Sequence, residues 1–425
     1  MKKSKAENDE VLSDEFLRQL MGVGEVDIVV GLPTHNNAAT IGPVIEAIQG
    51  GLLAFFPRER AVIINADGGS RDGTPDLVVN AAIDDVGRGS KIYALRTLHA
   101  ISTEYASTPA RGTALRAILA AAELLRAKAC IILSPESTQL KADSIASLLR
   151  PIYSEGFDLV LPTYARHRFD GLLLTNLLYP MTRALYGLRI REPHALDFAF
   201  SGKLGDQFLS QNPWDDETAR AGSESRFTLS AIAGGYRICQ SFLGNREHIE
   251  RRTADLVPAL RQTVAPLFSF VHSTAPVWRG RLGSELIPTT GPDREFTREP
   301  LRINRKRLLG MFVSGVAELE SIFRSILTVP TLERLQEIAR LDEAQFCYSE
   351  ELWVKTVYEF AAAYHKSVIS RDHILQALAP LFRGRALTFL LQNNQGSSDD
   401  VVNNIETLCL EFERLKPYLL EKMEL

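Results

Sequence analysis

Over the amino-terminal third of the chain, short apolar runs alternate with stretches whose apolar positions recur every three or four residues, and each run stops abruptly at turn-forming or polar residues. Residues 26–32 read as a first strand and 40–49 as a helix with Thr40 as its cap. A second strand is expected over 61–66. Thr74-Pro75 then supplies a cap and a first-turn proline for a helix to residue 83, since proline costs nothing where the amide would be unpaired anyway. Residues 91–98 look extended, 113–128 form an alanine- and leucine-rich helix, and 129–133 a short buried strand ending at Ser134-Pro135-Glu136-Ser137. A helix over 143–153 and an extended run over 159–162 continue the alternation. Such a pattern predicts an α/β fold: a doubly wound, mainly parallel sheet covered on both faces, with ligands held beyond the carboxyl ends of its strands.

The pattern changes after residue 251. Residues 280–304, rich in glycine, proline and charge, read as a connector rather than an element. Beyond them, 305–327, 351–365, 371–382 and 399–423 carry apolar residues at helical spacing, with 392–398 as a loop. Trp353, Tyr358 and Phe360 read as core residues of this region. The expected organisation is a polar leader over 1–24, an α/β domain over 25–280, a connector over 281–304 and an all-helical domain over 305–425. Long amphipathic helices after an α/β domain often close its site, bury a homodimer interface or simply form a core.

A chain of 425 residues with 45% hydrophobic and 24% charged residues is too long for a single core, in keeping with two domains. The formal net charge of -4 leaves no basic surplus for a phosphate backbone, which sets nucleic acid aside as a partner. Cys130, Cys239, Cys347 and Cys409 lack any metal-ligand spacing and are expected to be reduced, buried thiols. Residues 1–10 are charged rather than apolar, and no run reaches the roughly 18 uninterrupted apolar residues that span a bilayer. A cytoplasmic protein without export signal or membrane anchor is the expectation.

Candidate chemistry lies in the loops. Val30-Gly31-Leu32-Pro33-Thr34-His35-Asn36-Asn37 and Ile64-Asn65-Ala66-Asp67-Gly68-Gly69-Ser70-Arg71-Asp72-Gly73-Thr74 each follow a strand and precede a helix. Side by side, two such loops make a nucleotide pocket. The backbone amides of Asp67-Gly68-Gly69 lie at the amino end of a helix, whose partial positive charge favours anions and polar ligands. The Asp67 carboxylate can accept from a nucleobase imide or a ribose hydroxyl. A lone glycine-rich turn usually just connects strand to helix, but this one is paired with Pro33 to Asn37.

The two loops resemble those of nucleotide-sugar glycosyltransferases of the GT-A fold, and among them the retaining branch that includes glucosyl-3-phosphoglycerate and mannosylglycerate synthases. Further segments carry the resemblance: Arg111-Gly112-Thr113-Ala114-Leu115-Arg116, residues 164–171, Thr175-Asn176 through Arg183-Ala184-Leu185-Tyr186-Gly187, Ser241-Phe242-Leu243-Gly244 leading to His248, and Asp372-His373-Ile374-Leu375-Gln376-Ala377-Leu378. What it implies is a Rossmann-like GT-A domain that moves glucose or mannose, with retention, from a UDP- or GDP-sugar to a small acceptor such as glycerate or a polyol. In that frame Pro33, Thr34, Asn36, Asp67, Gly68 and Gly69 hold the nucleoside, and Arg111 and Gly112 face the diphosphate. A divalent metal, Mg or Mn, neutralises the leaving group in such enzymes. Its ligands here would be Glu136 and His248.

Two departures from the family pattern bear on this. The metal motif Asp-Ser-Asp reads Ser134-Pro135-Glu136, and the acceptor-side motif Ser-Gly-Glu reads Ser201-Gly202-Lys203. Aspartate to serine adds one formal charge and glutamate to lysine adds two, so the presumed site is three units more positive and poorly suited to a divalent cation. Lys203 with Arg111 would then replace part of the metal's charge. Asp197 and Glu224 stand at family carboxylate positions near the acceptor, although retention lets the leaving phosphate take the acceptor proton. The family's Gly-Arg-Val-Thr run reads Leu172-Leu173-Leu174-Thr175, which removes a charge-assisted partner for an acceptor phosphate. Thr175 and Asn176, with Arg166 nearby, are the acceptor candidates. The rival reading is a degenerate homologue that binds a nucleotide or sugar nucleotide without turnover, kept open by Ser134 and Lys203. A nucleotidyltransferase ranks last, because Pro33 to Asn37 is not a glycine-rich phosphate loop.

Overall fold

The computed structural model describes residues 12–82, 98–104, 111–211, 214, 222–246, 256–291, 295–297 and 304–424. The extended run expected over 91–98 lies outside them except at its last residue, as does His248 entirely. Two compact units emerge, each assembled from separated segments. Met1–Thr163, His194–Asn245 and Pro288–Asp293 make the first; Tyr164–Pro193, Arg246–Ile287 and Arg294–Leu425 make the second.

The first unit is built on strands β1 (Ile28–Thr34), β2 (Ala61–Asp67), β3 (His99–Glu104), β4 (Ala129–Ile132), the start of β5 (Leu159–His167), β6 (Phe198–Ser201), β7 (Ile238–Asn245) and β8 (Thr289–Thr290). They lie in the order β3-β2-β1-β4-β6-β5-β7-β8. β1 pairs in parallel with β2 and β4, and β2 with β3, whereas β6 runs antiparallel between β4 and β5. The expected α/β, mainly parallel sheet is therefore present. Every residue of β1, β2 and β4 is buried, as cover on both faces requires, and this is why these strands read as unbroken apolar runs.

Element ends differ from expectation for local reasons. The first helix runs Ile41–Phe55, and the Thr40 hydroxyl makes no capping bond to it, reaching back to the Asn37 carbonyl instead. Thr74–Val79 is shorter than expected and is entered through Gly73 in the left-handed region. The connector over 280–304 is not devoid of structure, since it contributes β8, paired with β7, and β9 (Glu295–Thr297), paired with the end of β5.

The second unit is mainly helical, with Tyr179–Tyr186, Leu256–Ser273, Arg305–Glu318, Glu320–Ile326, Val329–Ile338, Glu350–Lys366, Arg371–Asn393, Ser398–Arg414 and Lys416–Met423. The helices expected over 305–327 and 399–423 are each two helices, broken at Leu319 and Leu415. The one expected over 371–382 continues through Pro380 to Asn393. It is long and apolar enough to cross a bilayer, but 83% of its apolar window is buried in the protein.

Trp353, Tyr358 and Phe360 are wholly buried, as core residues should be. Their polar handles find backbone partners: Trp353 Nε1 donates to the Asn176 carbonyl at 2.7 Å and the Tyr358 hydroxyl to that of Phe412 at 2.6 Å. Arg183 is also fully buried, held at 2.7 Å by both carboxylate oxygens of Glu406 and by Glu413. Removing one side of such a buried pair costs about 3–5 kcal/mol, because the remaining charge has no water. Cys130, Cys239 and Cys409 are buried, and burial pushes the Cys239 thiol up to about 12. Cys347 is exposed, against the expectation of four buried thiols.

On the surface of this unit the rings of His272 and His365 stack, with centroids 3.8 Å apart and planes within 13°. Burial, and then the charges of His272, Arg371 and Lys366, hold His365 below the usual histidine value. A histidine depressed in the folded state is protonated first in the unfolded chain, so its penalty is absent at neutral pH and grows as pH falls below the ordinary value of about 6.5. Chemical denaturation of the wild type should therefore show stability declining between about pH 7 and pH 5, with a smaller decline in His365→Gln. Parallel curves for the two proteins would contradict this.

Candidate nucleotide site

Thr34, Asp67 and Glu104 end three adjacent parallel strands and stand at one register. Side chains at matched register share a face of the sheet, and here they form a polar ladder. Ser102 accepts from Asn65 Nδ2 at 2.9 Å, and the Thr34 hydroxyl lies 2.6 Å from Asn65 Oδ1 and 2.7 Å from Asp67 Oδ1. Asp67 also accepts from the Gly69 amide at 2.9 Å, the Ser70 amide at 2.7 Å and the Ser70 hydroxyl at 2.7 Å. The Asp67 carboxylate is thus filled by protein donors and only 3% exposed. It does not face a ligand, as the sequence reading had it; it ties the two loops together.

The rest of the platform repeats this stitching. The Asn36 amide donates to Ser70 Oγ at 2.7 Å, the Arg71 amide to Asn36 Oδ1 at 3.0 Å, and the Asn37 amide to Thr74 Oγ1 at 2.9 Å. Asp72 accepts from Thr74 and from the Ala38 amide, and these bonds, the Thr74 hydroxyl foremost, hold its carboxyl below the usual range. Asn36 is kept at φ 54 and Gly69 at φ +81, both in the left-handed region. Pro33 and Thr34 are buried at the end of β1, Gly68 donates to the Thr34 carbonyl at 2.8 Å, and His35 and Asn36 are exposed at the rim. Two loops have become one rigid surface.

Arg111 and Gly112 open helix Arg111–Leu124, whose first amides have no intrahelical partner. Arg111 Nε donates to Glu224 Oε1 at 2.5 Å from the start of helix Ser223–Ala233. Burial pushes the Glu224 carboxyl up, but Arg111 and His194 outweigh it and hold it below the usual range. Arg111 Nη2 and Thr113 Oγ1 are buried without a hydrogen-bond partner among the described residues. Glu224 therefore orients the guanidinium while leaving it a donor to spare. His194 hydrogen-bonds Ser225 on the same helix.

Asp197 is fully buried, accepting from the Ser134 amide at 2.8 Å and from the Ser137 hydroxyl at 2.7 Å. Instead of standing beside an acceptor, it pins the loop that follows β4. Glu136 is exposed at the tip of that loop. No three His, Cys, Asp or Glu side chains converge on a point among the described residues. Asp197 is committed to the loop and Ser134 stands in place of a carboxylate, and of the two expected metal ligands only Glu136 is among the described residues.

Lys203 falls elsewhere. Ser201 pairs with Ala129 at the amino end of β4, and the Gly202 amide donates to the Lys128 carbonyl at 2.9 Å. A Cβ on Gly202 would stand 2.0 Å from the Ala127 carbonyl oxygen, so only glycine fits there. At about 3.3 Å per residue, the length of β4 separates Lys203 from Ser134 by roughly 15 Å. Its ammonium sits 5.7 Å from the Tyr236 ring centroid. Lys203 cannot serve a diphosphate at the carboxyl edge, and the lysine-for-metal expectation is withdrawn.

The acceptor candidates lie in the second unit, and each is engaged there. Arg166 is buried between Glu192, at 2.6 and 2.8 Å, and Asp170, at 3.0 Å. Asn176 is wholly buried in the π-helical turn Leu174–Leu178, donating to the Leu172 carbonyl at 3.1 Å and accepting from Arg385 Nε at 3.1 Å. The Thr175 hydroxyl bonds the Gly171 carbonyl at 3.3 Å. The polar groups of Arg166, Thr175 and Asn176, expected to meet an acceptor, are thus engaged within the unit.

Asn65, Ser70, Ser137 and His194 were not singled out from the sequence, and Thr74 was read there only as a helix cap. A polar Asn65 inside an otherwise apolar strand, and Ser102 and Glu104 two apart at the end of β3, were the available signals. No protein-family model and no curated protein matches the chain. Among solved structures, glucosyl-3-phosphoglycerate synthase from Mycobacterium tuberculosis in complex with phosphoglyceric acid is 22% identical over 60% of this chain and 83% of that one, with a TM-score of 0.42. Its complex with Mn2+, uridine-diphosphate and glucosyl-3-phosphoglycerate gives 21% identity, 67% and 94% coverage and a TM-score of 0.43. A structure described as a mycobacterial protein gives 24%, 59%, 77% and 0.41.

Replacing Asp197 by alanine orphans the Ser134 amide and the Ser137 hydroxyl in a buried setting. Unfolding in urea should show a loss of about 1–3 kcal/mol. An unaltered midpoint in Asp197→Ala would mean the loop is held by other means.

Proposed function

We propose that this chain is a retaining hexosyltransferase of the GT-A type, taking glucose or mannose from a UDP- or GDP-sugar to a small hydroxy acid such as glycerate. The observation that carries it is the stitched double loop at the carboxyl edge, with Arg111 held by Glu224 and keeping Nη2 without a partner among the described residues. In this reading Pro33, Thr34, Asn36, Gly68 and Gly69 form the surface on which the nucleoside rests, with Asp67 as its internal fastening. Arg111, with the first amides of its helix at Gly112, meets the diphosphate. The bond between the anomeric carbon and the leaving phosphate oxygen breaks as charge builds on that oxygen, and a preorganised donor there lowers the barrier. The acceptor oxygen bonds the same carbon and its proton passes to the phosphate, so no separate base is needed.

The rival reading, a nucleotide-binding homologue without turnover, draws support from the commitment of Asp67, Asp197 and Glu224 to protein partners. Nucleoside diphosphate release from UDP-glucose, UDP-mannose, GDP-glucose and GDP-mannose, measured with glycerate present, separates the two. Release should occur, should persist with a chelator, and should fall by about 10²- to 10³-fold in Arg111→Ala while the protein stays folded. Donor binding without release would favour the rival, and abolition by the chelator would return the leaving-group charge to a metal.

A further inference from the structure

We propose that Glu104 is the residue that receives the ribose diol of the nucleotide, an inference that rests on the donor site described above. Two kinds of carboxylate stand in the loops and strand ends of the platform and its neighbours. Asp67, Asp72, Asp197 and Glu224 are each engaged by amides, hydroxyls or a guanidinium of the protein. Glu104 is exposed, and no hydrogen bond or ion pair joins its carboxylate to any described residue.

Its position is specific. Glu104 ends β3 at the register of Asp67 and, through Asp67, of Thr34, so it continues the polar row across the top of three strands. Its carboxylate leans over the second loop, with Oε1 3.2 Å from the point a Cβ on Gly69 would occupy. Gly69 is favoured there by its left-handed φ, and the Glu104 carboxylate end lies close above it. The result is an unused two-oxygen acceptor at the margin of the stitched platform, where a residue in place of Asp67 has to recognise the nucleoside. Two oxygens on one carbon match two vicinal hydroxyls, which accounts for a choice of acid over amide and gives preference for ribonucleotides over deoxyribonucleotides whatever the base.

The test is calorimetric titration of the full chain with UDP, GDP and their 2′-deoxy counterparts, for wild type, Glu104→Gln and Glu104→Ala. Wild type should bind at least one ribonucleotide about ten-fold or more tightly than its deoxy form. Both variants should lose most of that ratio with unfolding midpoints unchanged, since the side chain is exposed. Retention of the wild-type ratio by both variants would overturn the role of Glu104 and leave the donor site intact. Failure of the wild type to bind any of the nucleotides would instead overturn the donor site, and this inference with it.

Discussion

The Asp67 carboxylate is the constraint on which the carboxyl edge depends. A chain leaving a buried parallel strand has to turn with its amides unpaired, and two neighbouring strands double the problem. Here one carboxylate takes two amides and a hydroxyl from its own loop and meets Thr34 from the neighbouring strand, while Ser70 passes the connection on to the Asn36 amide. Charge-assisted bonds of this kind are stronger than neutral ones and are shielded at 3% exposure. Preorganisation follows, because a surface already held in shape loses little entropy when a ligand settles on it.

The same economy runs through the rest of the protein. Asp197 fixes the loop after β4, Glu224 aims Arg111, and in the second unit Arg183 and Arg166 are enclosed by pairs of carboxylates. Nearly every conspicuous charge in the motifs is therefore occupied with holding backbone or partner side chains. Arg111 Nη2, the helix-start amides beside it and the Glu104 carboxylate stand apart from that rule among the described residues. On the proposed reading, chemistry at this edge rests on a few groups positioned by many.

How much was legible follows from the same physics. β1, β2 and β4 could be read because strands buried on both faces are unbroken apolar runs, and their loops could be read because glycine, proline and small polar residues interrupt such runs abruptly. β6 escaped, since four residues after an irregular stretch carry little periodicity and nothing local specifies an antiparallel partner. Lys203 was misplaced for a related reason: a motif gives neighbours in sequence, while the end of the sheet it occupies is set by strand direction. Asp67, Asn176 and Arg166 were read as ligand-binding residues, but whether a carboxylate, amide or guanidinium faces a ligand or the protein is decided by donors and acceptors many residues away. The separated segments of the two units arise from chain crossings that no linear pattern marks.

The central claim, that one stitched platform at the carboxyl edge holds a nucleotide with its diphosphate toward Arg111, is tested most directly by amide hydrogen exchange with and without saturating UDP or GDP. The account predicts that protection rises together in residues 34–38, 68–74 and at the first turn of helix Arg111–Leu124. Protection confined to one loop, or appearing only in segments of the second unit, would contradict it.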